Sequence, residues 1–222
     1  MKPSSALLNT IAALIISVPL LYLAIIWNSV PAIIPIHFDL NLKANRMAEK
    51  SELWIPTFIL AGCSLLVYVV MRNINKIDPK RAGAATPASF KRLSLVMVAI
   101  ISLLNLLLVM ICTSKGNTSK TLLVPAMGLL FAAIGNYLPA LKPNYFAGIR
   151  LPWTLSSESN WKKTHQLAGK LWFWGGLLLA ILSLFLPPVT RMPVLTTTVI
   201  VLALIPCIYS FRLFIEEKRM QP

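Results

Sequence analysis

Along its length the chain alternates long uncharged apolar runs with short polar loops. Six runs, Ala6–Trp27, Leu53–Met71, Leu93–Thr113, Thr121–Leu141, Leu171–Pro188 and Met192–Phe211, contain no Lys, Arg, Asp, Glu or His. About 20 apolar helical residues cross a hydrocarbon core of roughly 30 Å, so each run predicts a membrane-spanning helix. The fifth run is the shortest and ends on Pro187-Pro188, which leaves a re-entrant segment open beside a full span. The first run follows Lys2 as a signal peptide would. Its apolar stretch is longer than the roughly 7–15 residues of such peptides, and no small-residue cleavage site lies between Trp27 and Pro31, so we read it as a retained span. The expected fold class is all-α: a polytopic bundle of six transmembrane helices, with a cytoplasmic amphipathic helix before span five.

Composition agrees with lipid as the solvent. Of 222 residues, 57% are hydrophobic and 13% charged, against about a quarter charged in soluble domains. A net charge of +14 would suggest nucleic acid as a partner in a soluble chain. Here the placement of the charge matters more. Arg72, Lys76, Lys80, Arg81, Lys91 and Arg92 lie between spans two and three; Lys142, Arg150, Lys162, Lys163 and Lys170 lie between spans four and five; Lys218 and Arg219 lie in the tail. The alternate loops carry fewer cations: Lys43, Arg46 and Lys50 offset by Asp39, Glu49 and Glu52, then Lys115 and Lys120, then Arg191. The positive-inside rule places both termini and the two basic loops in the cytoplasm, where they attract anionic headgroups rather than nucleic acid. The chain divides into a two-span part, 1–72, with an outside loop at 28–52; a basic cytoplasmic linker, 73–92, containing Asp78-Pro79, Gly83, Thr86-Pro87 and small residues; and a four-span part, 93–222, with a cytoplasmic island at 142–170.

Residues inside the spans suggest structure more than chemistry. Cys63, Cys112 and Cys207 are odd in number and match no metal spacing, which predicts small packing residues and no disulfide framework. No nucleotide-binding loop, HExxH or GxSxG occurs, and no metal or cofactor is expected. Pro19 and Pro206 should kink spans one and six, with a neighbouring group satisfying each freed carbonyl. Asn105 and Asn136, polar at depth, should bond across helices, and Gly128 and Gly135 of span four should let Gly175 and Gly176 of span five approach closely.

The stretch Asn144–Lys170, NYFAGIRLPWTLSSESNWKKTHQLAGK, is the polar and aromatic island of this oily protein. Asn144, Gly148 and Pro152 predict a bent, non-helical backbone. Tyr145 and Trp153 suit the headgroup level, and Arg150 between them suits either a lipid phosphate or an acid such as Glu158. A helix should restart at Ser156 or Ser157, with Glu158 in its first turn. Trp161, Thr164 or His165, Ala168 and Trp172 then share one face, and Lys162, Gln166 and Lys170 another. That amphipathic segment leads into span five and is expected along the inner membrane surface. His165 is a candidate base or ligand. With no second His or Cys nearby, a fixed hydrogen bond to the bent 144–154 segment is the simpler reading.

The island resembles the signature of the SdpI family of bacterial membrane proteins, approximately N-x-F-x-G-I-R-T-P-W-T-L-S-S-E-x-x-W-x-K-T-H-x-x-A-G-K. Asn144, Phe146, Gly148, Ile149, Arg150, Pro152, Trp153, Thr154, Leu155, Ser156, Ser157, Glu158, Trp161, Lys163, Thr164, His165, Ala168, Gly169 and Lys170 match it. Leu151 departs from it, replacing the usual Thr and removing a hydroxyl beside Arg150. The outside loop resembles the DUF1648-like domain often found ahead of this one, through Pro31, Ile34, Pro35, His37 and Phe38; the glycine usual a few residues later is missing from DLNLKANRM.

The resemblance implies an immunity and sensor protein of the bacterial cytoplasmic membrane. The family's namesake protects its host from a secreted peptide toxin and, with toxin present, recruits a transcriptional repressor to the membrane. Implied partners are membrane lipids, a secreted peptide toxin outside and a transcriptional repressor inside, with no direct nucleic acid. No catalytic residue is expected. One alternative is a small transporter or exporter with a cavity lined by Asn105, Asn136 and the kinked helices, although no intramembrane charge supports ion coupling. Another is an inner-leaflet enzyme with His165 as base and Arg150 as phosphate clamp, for which no nucleophile or metal set is present.

Overall fold

A computed structural model describes residues 5–39, 43–78, 88–113 and 118–219. Pro79, Lys80, Arg81, Gly83, Thr86 and Pro87 of the linker, and Lys115, lie outside the described residues. The elements are α1 (Ser5–Ile26), β1 (Ile33–Phe38), β2 (Ala44–Glu49), α2 (Trp54–Arg72), α3 (Ile74–Ile77), α4 (Ala88–Thr113), α5 (Thr118–Tyr137), α6 (Pro152–Ser156), α7 (Glu158–Phe185) and α8 (Pro188–Arg219). Among the described residues six helices, α1, α2, α4, α5, α7 and α8, are long and apolar enough to cross a membrane, one for each apolar run. The fifth run lies in α7 up to Phe185, and the 28 residues of α7 form one unbroken helix about 42 Å long. It is therefore a full span and not a re-entrant loop. Large apolar side chains such as Leu14, Ile25, Phe58, Leu66, Leu178 and Phe185 stand exposed along these helices, as hydrocarbon contact requires. Six successive crossings place the hairpin at one end of the bundle, and α3, the island and the end of α8 at the other.

The closest packing joins α5 to α7. A Cβ built on Gly128 would lie 2.6 Å from the Ala180 nitrogen, and one on Gly176 would lie 2.5 Å from the Gly128 carbonyl oxygen. Gly135 meets Phe173 and Gly169 in the same way. The glycines on each helix are two turns apart, so they share a face and pair antiparallel along the contact. Gly176 makes the approach expected of it. Gly175 instead faces the Leu202 side chain of α8.

Polar groups at depth find partners unequally. The Asn105 Nδ2 of α4 donates to the Thr57 carbonyl of α2 at 3.0 Å, an interhelical bond as expected. Asn136 makes no such link; it lies near the end of α5 and is exposed, because its position falls on the outer face of that helix. Pro206 has no N–H for the Leu202 carbonyl one turn earlier, and the Trp172 indole of α7 donates to that oxygen at 2.8 Å. Cys112 is buried and Cys207 half-buried, whereas Cys63 is exposed on α2.

The outside loop is a two-stranded antiparallel hairpin, which apolar periodicity alone did not predict. Ile34 pairs with Ala48, and both are buried, so one face of the hairpin sits on the bundle. Ile34 packs with Leu23, Leu53, Val109 and Cys112. Pro35 is tolerated because a two-stranded sheet has only edge strands, and the register shifts just after it. The Lys50 Nζ donates to the Trp27 carbonyl at 3.0 Å and stands 4.6 Å from the centre of the Trp27 ring, fixing the root of the hairpin.

Gly135→Val should lower the stability of the detergent-solubilised protein by about 1–3 kcal/mol or more through overpacking. The matched control is Gly62→Val, where an added Cβ meets nothing within 4 Å. Thermal unfolding should separate the two variants clearly.

Candidate functional site

The island begins where α5 ends. Leu138–Ala140 form a 3-10 turn carrying Pro139, and Lys142-Pro143 keep the chain from resuming a helix. Asn144 then organises the bend. It is fully buried: its Oδ1 accepts the Phe146 and Ala147 N–H groups at 2.9 and 2.7 Å, and its Nδ2 donates to the Lys142 and Ala147 carbonyls. One amide thus meets four backbone groups that no helix or sheet could satisfy here. Gly148 follows at φ 112°, a left-handed conformation, and a Cβ there would run into the His165 ring.

His165 fastens the second half of the bend. Its Nε2 accepts the Ile149 N–H at 3.0 Å, and its Nδ1 bonds the Trp161 carbonyl at 2.8 Å. A carbonyl can only accept, so Nδ1 carries the proton and Nε2 holds the lone pair, which makes the ring neutral. Both nitrogens are committed, and no lone pair remains for general-base work. The Trp161 ring stacks on the imidazole at 4.0 Å, and its indole N–H donates to the Leu141 carbonyl at 2.7 Å. The fixed hydrogen bond expected of His165 is what the structure contains.

Thr154 is buried and pins the next turn. Its hydroxyl accepts the Leu151 N–H at 2.9 Å and faces the Ile149 carbonyl at 2.7 Å. Pro152 starts α6, where its missing N–H costs nothing. Leu151 occupies the capping position at φ −100°, ψ 153° and offers no side-chain oxygen. Ser157 caps α7, accepting the Asn160 N–H and donating to Glu217 of α8 at 3.1 Å. Trp153 turns from the headgroup level towards α8: its indole donates to the Ser210 hydroxyl at 2.9 Å and its ring stacks on Phe214.

The amphipathic segment expected along the membrane surface is instead the first half of α7, continuous with the span. Its apolar face, Trp161, Thr164, His165 and Ala168, is buried to 1% exposure or less within the protein, so protein rather than lipid covers it. Gly169 on that helix backs onto Pro139 and Gly135. Glu158, Lys162, Lys163 and Gln166 form the exposed face. Arg150 is exposed and donates to the Tyr145 carbonyl at 2.6 Å, without pairing with Glu158. The structure thus gathers Asn144, Gly148, Thr154, Trp161, Thr164 and His165 into one internal framework and leaves Arg150, Glu158 and Lys163 on its surface. Pro31, Pro35, His37 and Phe38 lie at the far end, where His37 bonds Asn45 at 2.6 Å; Pro31 precedes the hairpin, the other three lie in β1, and none belongs to this site.

Three participants were not singled out by sequence. Asn160 is fully buried, donates to the Ser210 carbonyl at 2.9 Å and accepts from Thr164. It lies one turn before Thr164 on the buried face, a spacing that could have revealed it. Ser210 receives both Asn160 and Trp153. The Asp78 carboxylate accepts the Tyr145 N–H at 3.0 Å, joining linker to island. No local pattern marks either of these two.

Residues 140–210 match the SdpI/YfhL protein family, and residues 14–61 match a domain of unknown function, DUF1648. The chain is 26% identical over 179 residues, 80% of its own length and 82% of the other's, to the immunity protein SdpI of Bacillus subtilis (strain 168). No solved structure matches it. The resemblance carried by the island and by the hairpin motif is therefore borne out in both parts of the chain.

Two substitutions should move stability in opposite directions when unfolding is followed in detergent. Asn144→Ala leaves buried backbone groups unpaired and should cost about 1–3 kcal/mol. Leu151→Thr supplies the absent cap and should gain about 1 kcal/mol.

Proposed function

We propose that this chain is an immunity protein of the bacterial cytoplasmic membrane, with both termini and the island inside and the hairpin outside. The observation that carries the proposal is its similarity, over four-fifths of each chain, to a protein named for immunity. The unequal loop charge supports the orientation: Arg72, Lys76, Arg92, Lys142, Arg150, Lys162 and Lys163 lie at the island end.

In this reading a secreted peptide toxin meets the outer end. Ile33 and Met47 of the hairpin are more than half exposed and offer apolar contact to a membrane-active peptide. At the inner end, Arg150, Glu158, Lys162, Lys163 and Gln166 stand on a backbone held by Asn144, Thr154 and His165, a surface on which a cytoplasmic protein such as a transcriptional repressor can dock. Rigid support favours such a role, because a preorganised surface loses little freedom on binding. The proposed action is binding and not catalysis, consistent with both His165 nitrogens being spent on backbone.

Expression in a sensitive host should protect it against a secreted membrane-active peptide toxin, and Ile33→Asp/Met47→Asp should lose that protection at matched membrane levels. Lys162→Glu/Lys163→Glu should keep protection and lose toxin-dependent recruitment of the cytoplasmic partner. Trp161→Ala is unsuited to this test, since truncating a buried Trp costs about 3–5 kcal/mol of stability. Fluorescence from a C-terminal GFP fusion, with an inactive C-terminal alkaline phosphatase fusion, checks the orientation. Absence of protection by the wild-type chain at verified expression rejects the immunity proposal.

A further inference from the structure

The two helices that flank the hairpin, α1 and α2, leave a groove of about 460 Å³ between them towards the island end of the bundle, within the range of roughly 300–1,000 Å³ typical of small-molecule sites. Its polar lining residues are Asn9, Tyr68, Arg72 and Asn73, and its apolar ones include Ile16 and Leu65. The polar four gather at the end nearer the membrane surface. Ile16 follows Asn9 by two helical turns and Leu65 precedes Arg72 by the same interval, so on both walls the lining changes from polar to apolar over about 10 Å towards the middle of the membrane. Leu65 is 52% exposed, which opens the apolar end of the groove to hydrocarbon.

Arg72 is itself part of the groove wall, and its position there is supported by its neighbours. The guanidinium carbon lies 5.6 Å from the centre of the Tyr68 ring, within the range of a cation–π contact. Tyr68 is 7% exposed, and its hydroxyl donates across the helix pair to the Asn9 Oδ1 at 2.8 Å. That bond spends the Asn9 oxygen as an acceptor and leaves Nδ2 as the group that Asn9 offers beside the groove. Arg72 is half-buried, so part of it faces outward. No Asp or Glu occurs from Met1 to Phe38 or from Leu53 to Ile77, so neither helix brings an acid to offset the guanidinium. Asp78, the next acid along the chain, accepts the Tyr145 N–H of the island. A planar guanidinium beside an amide donor matches the oxygens of a phosphate.

We propose that this groove binds an anionic phospholipid from the leaflet at the island end, with its phosphate on Arg72 and Asn9 and the start of one acyl chain against Ile16 and Leu65. The change of lining along the groove selects the occupant. A free phosphate ion would leave the apolar half empty, and the ammonium of a zwitterionic lipid would compete with Arg72 for the phosphate. An amphiphile whose phosphate is not neutralised by its own headgroup satisfies both ends. Bound there, it joins α1 to α2 beside the Tyr68–Asn9 hydrogen bond, at the end where the chain leaves α2 for α3. The site does not depend on the proposed immunity role.

The test uses the full chain reconstituted in nanodiscs of phosphatidylglycerol mixed with phosphatidylcholine and released into native mass spectrometry. The wild-type chain should retain phosphatidylglycerol in preference to phosphatidylcholine, and Arg72→Gln should reduce that preference by about tenfold, the loss expected of one charge-assisted contact. Lys142→Gln removes an exposed cation at the same end that lines no part of the groove, and it should leave the preference unchanged. Ala13→Trp, placed on the groove wall between Asn9 and Ile16, should lower retention of both lipids. Equal retention of the two lipids by the wild type, an unchanged preference in Arg72→Gln, an equal loss in Lys142→Gln, or displacement of the lipid by added inorganic phosphate would overturn the proposal. Should Ala13→Trp fail to fold, the comparison of Arg72→Gln with Lys142→Gln decides alone.

Discussion

The backbones of α5 and α7 touch at Gly128, Gly135, Gly169 and Gly176 with no side chain between them. In lipid the hydrophobic effect does not draw helices together, so close dispersion contact over small residues supplies the attraction. This contact sets the position of α7 along α5. It brings Gly169 against Pro139, where α5 gives way to the island, and so places Trp161 and His165 directly under the loop that follows. A side chain at any of these glycines would lift α7 away and separate those donors and acceptors from their partners.

The first part of the island, 141–151, can remain non-helical near a membrane because each of its bends is met by a side chain. Asn144 satisfies the first bend, His165 the second, and Thr154 the third. Three tryptophans extend the same solution outward, donating to the Leu141 carbonyl, to the Ser210 hydroxyl and to the carbonyl left open by Pro206. An indole suits each place because it brings one donor and a large apolar ring, so polar satisfaction and packing arrive together. The residues of the motif thus divide by direction: inward-facing ones build the scaffold, and Arg150, Glu158 and Lys163 are displayed on it. At the opposite end the hairpin is fastened by Ile34 and Lys50. The arrangement sets a firm surface at each end of a packed bundle.

Much of this is legible without coordinates. The length and neutrality of six apolar runs determine six crossings, since the thickness of hydrocarbon is a constraint each segment meets alone. The Asn-Gly-Pro punctuation determines a bend, Ser157 and Glu158 mark the start of a helix, and the faces of Glu158–Lys170 are evident from periodicity. What covers those faces is not. Surface helix and buried helix share one amphipathic pattern, and only the neighbouring elements distinguish them. The hairpin escapes the same kind of reading because its strands are short, Pro35 interrupts one of them, and its burial depends on α1, α2 and α4.

Asn105 and Asn136 show where the boundary falls. Both are amides within apolar runs, and sequence assigns them one role. Tertiary structure gives Asn105 the Thr57 carbonyl and turns Asn136 outward, because rotation of each helix about its axis is decided by what packs beside it. Sequence likewise offers His165 several duties, and the choice comes from Ile149 and Trp161, brought to its two nitrogens by the bend and by one turn of helix. Sequence by itself determined the solvent, the number of crossings and the location of the island, since these follow from local length, charge and residue type. Tertiary structure decided which polar groups meet, which face is covered and where a cavity remains, since those depend on atoms far apart in the chain.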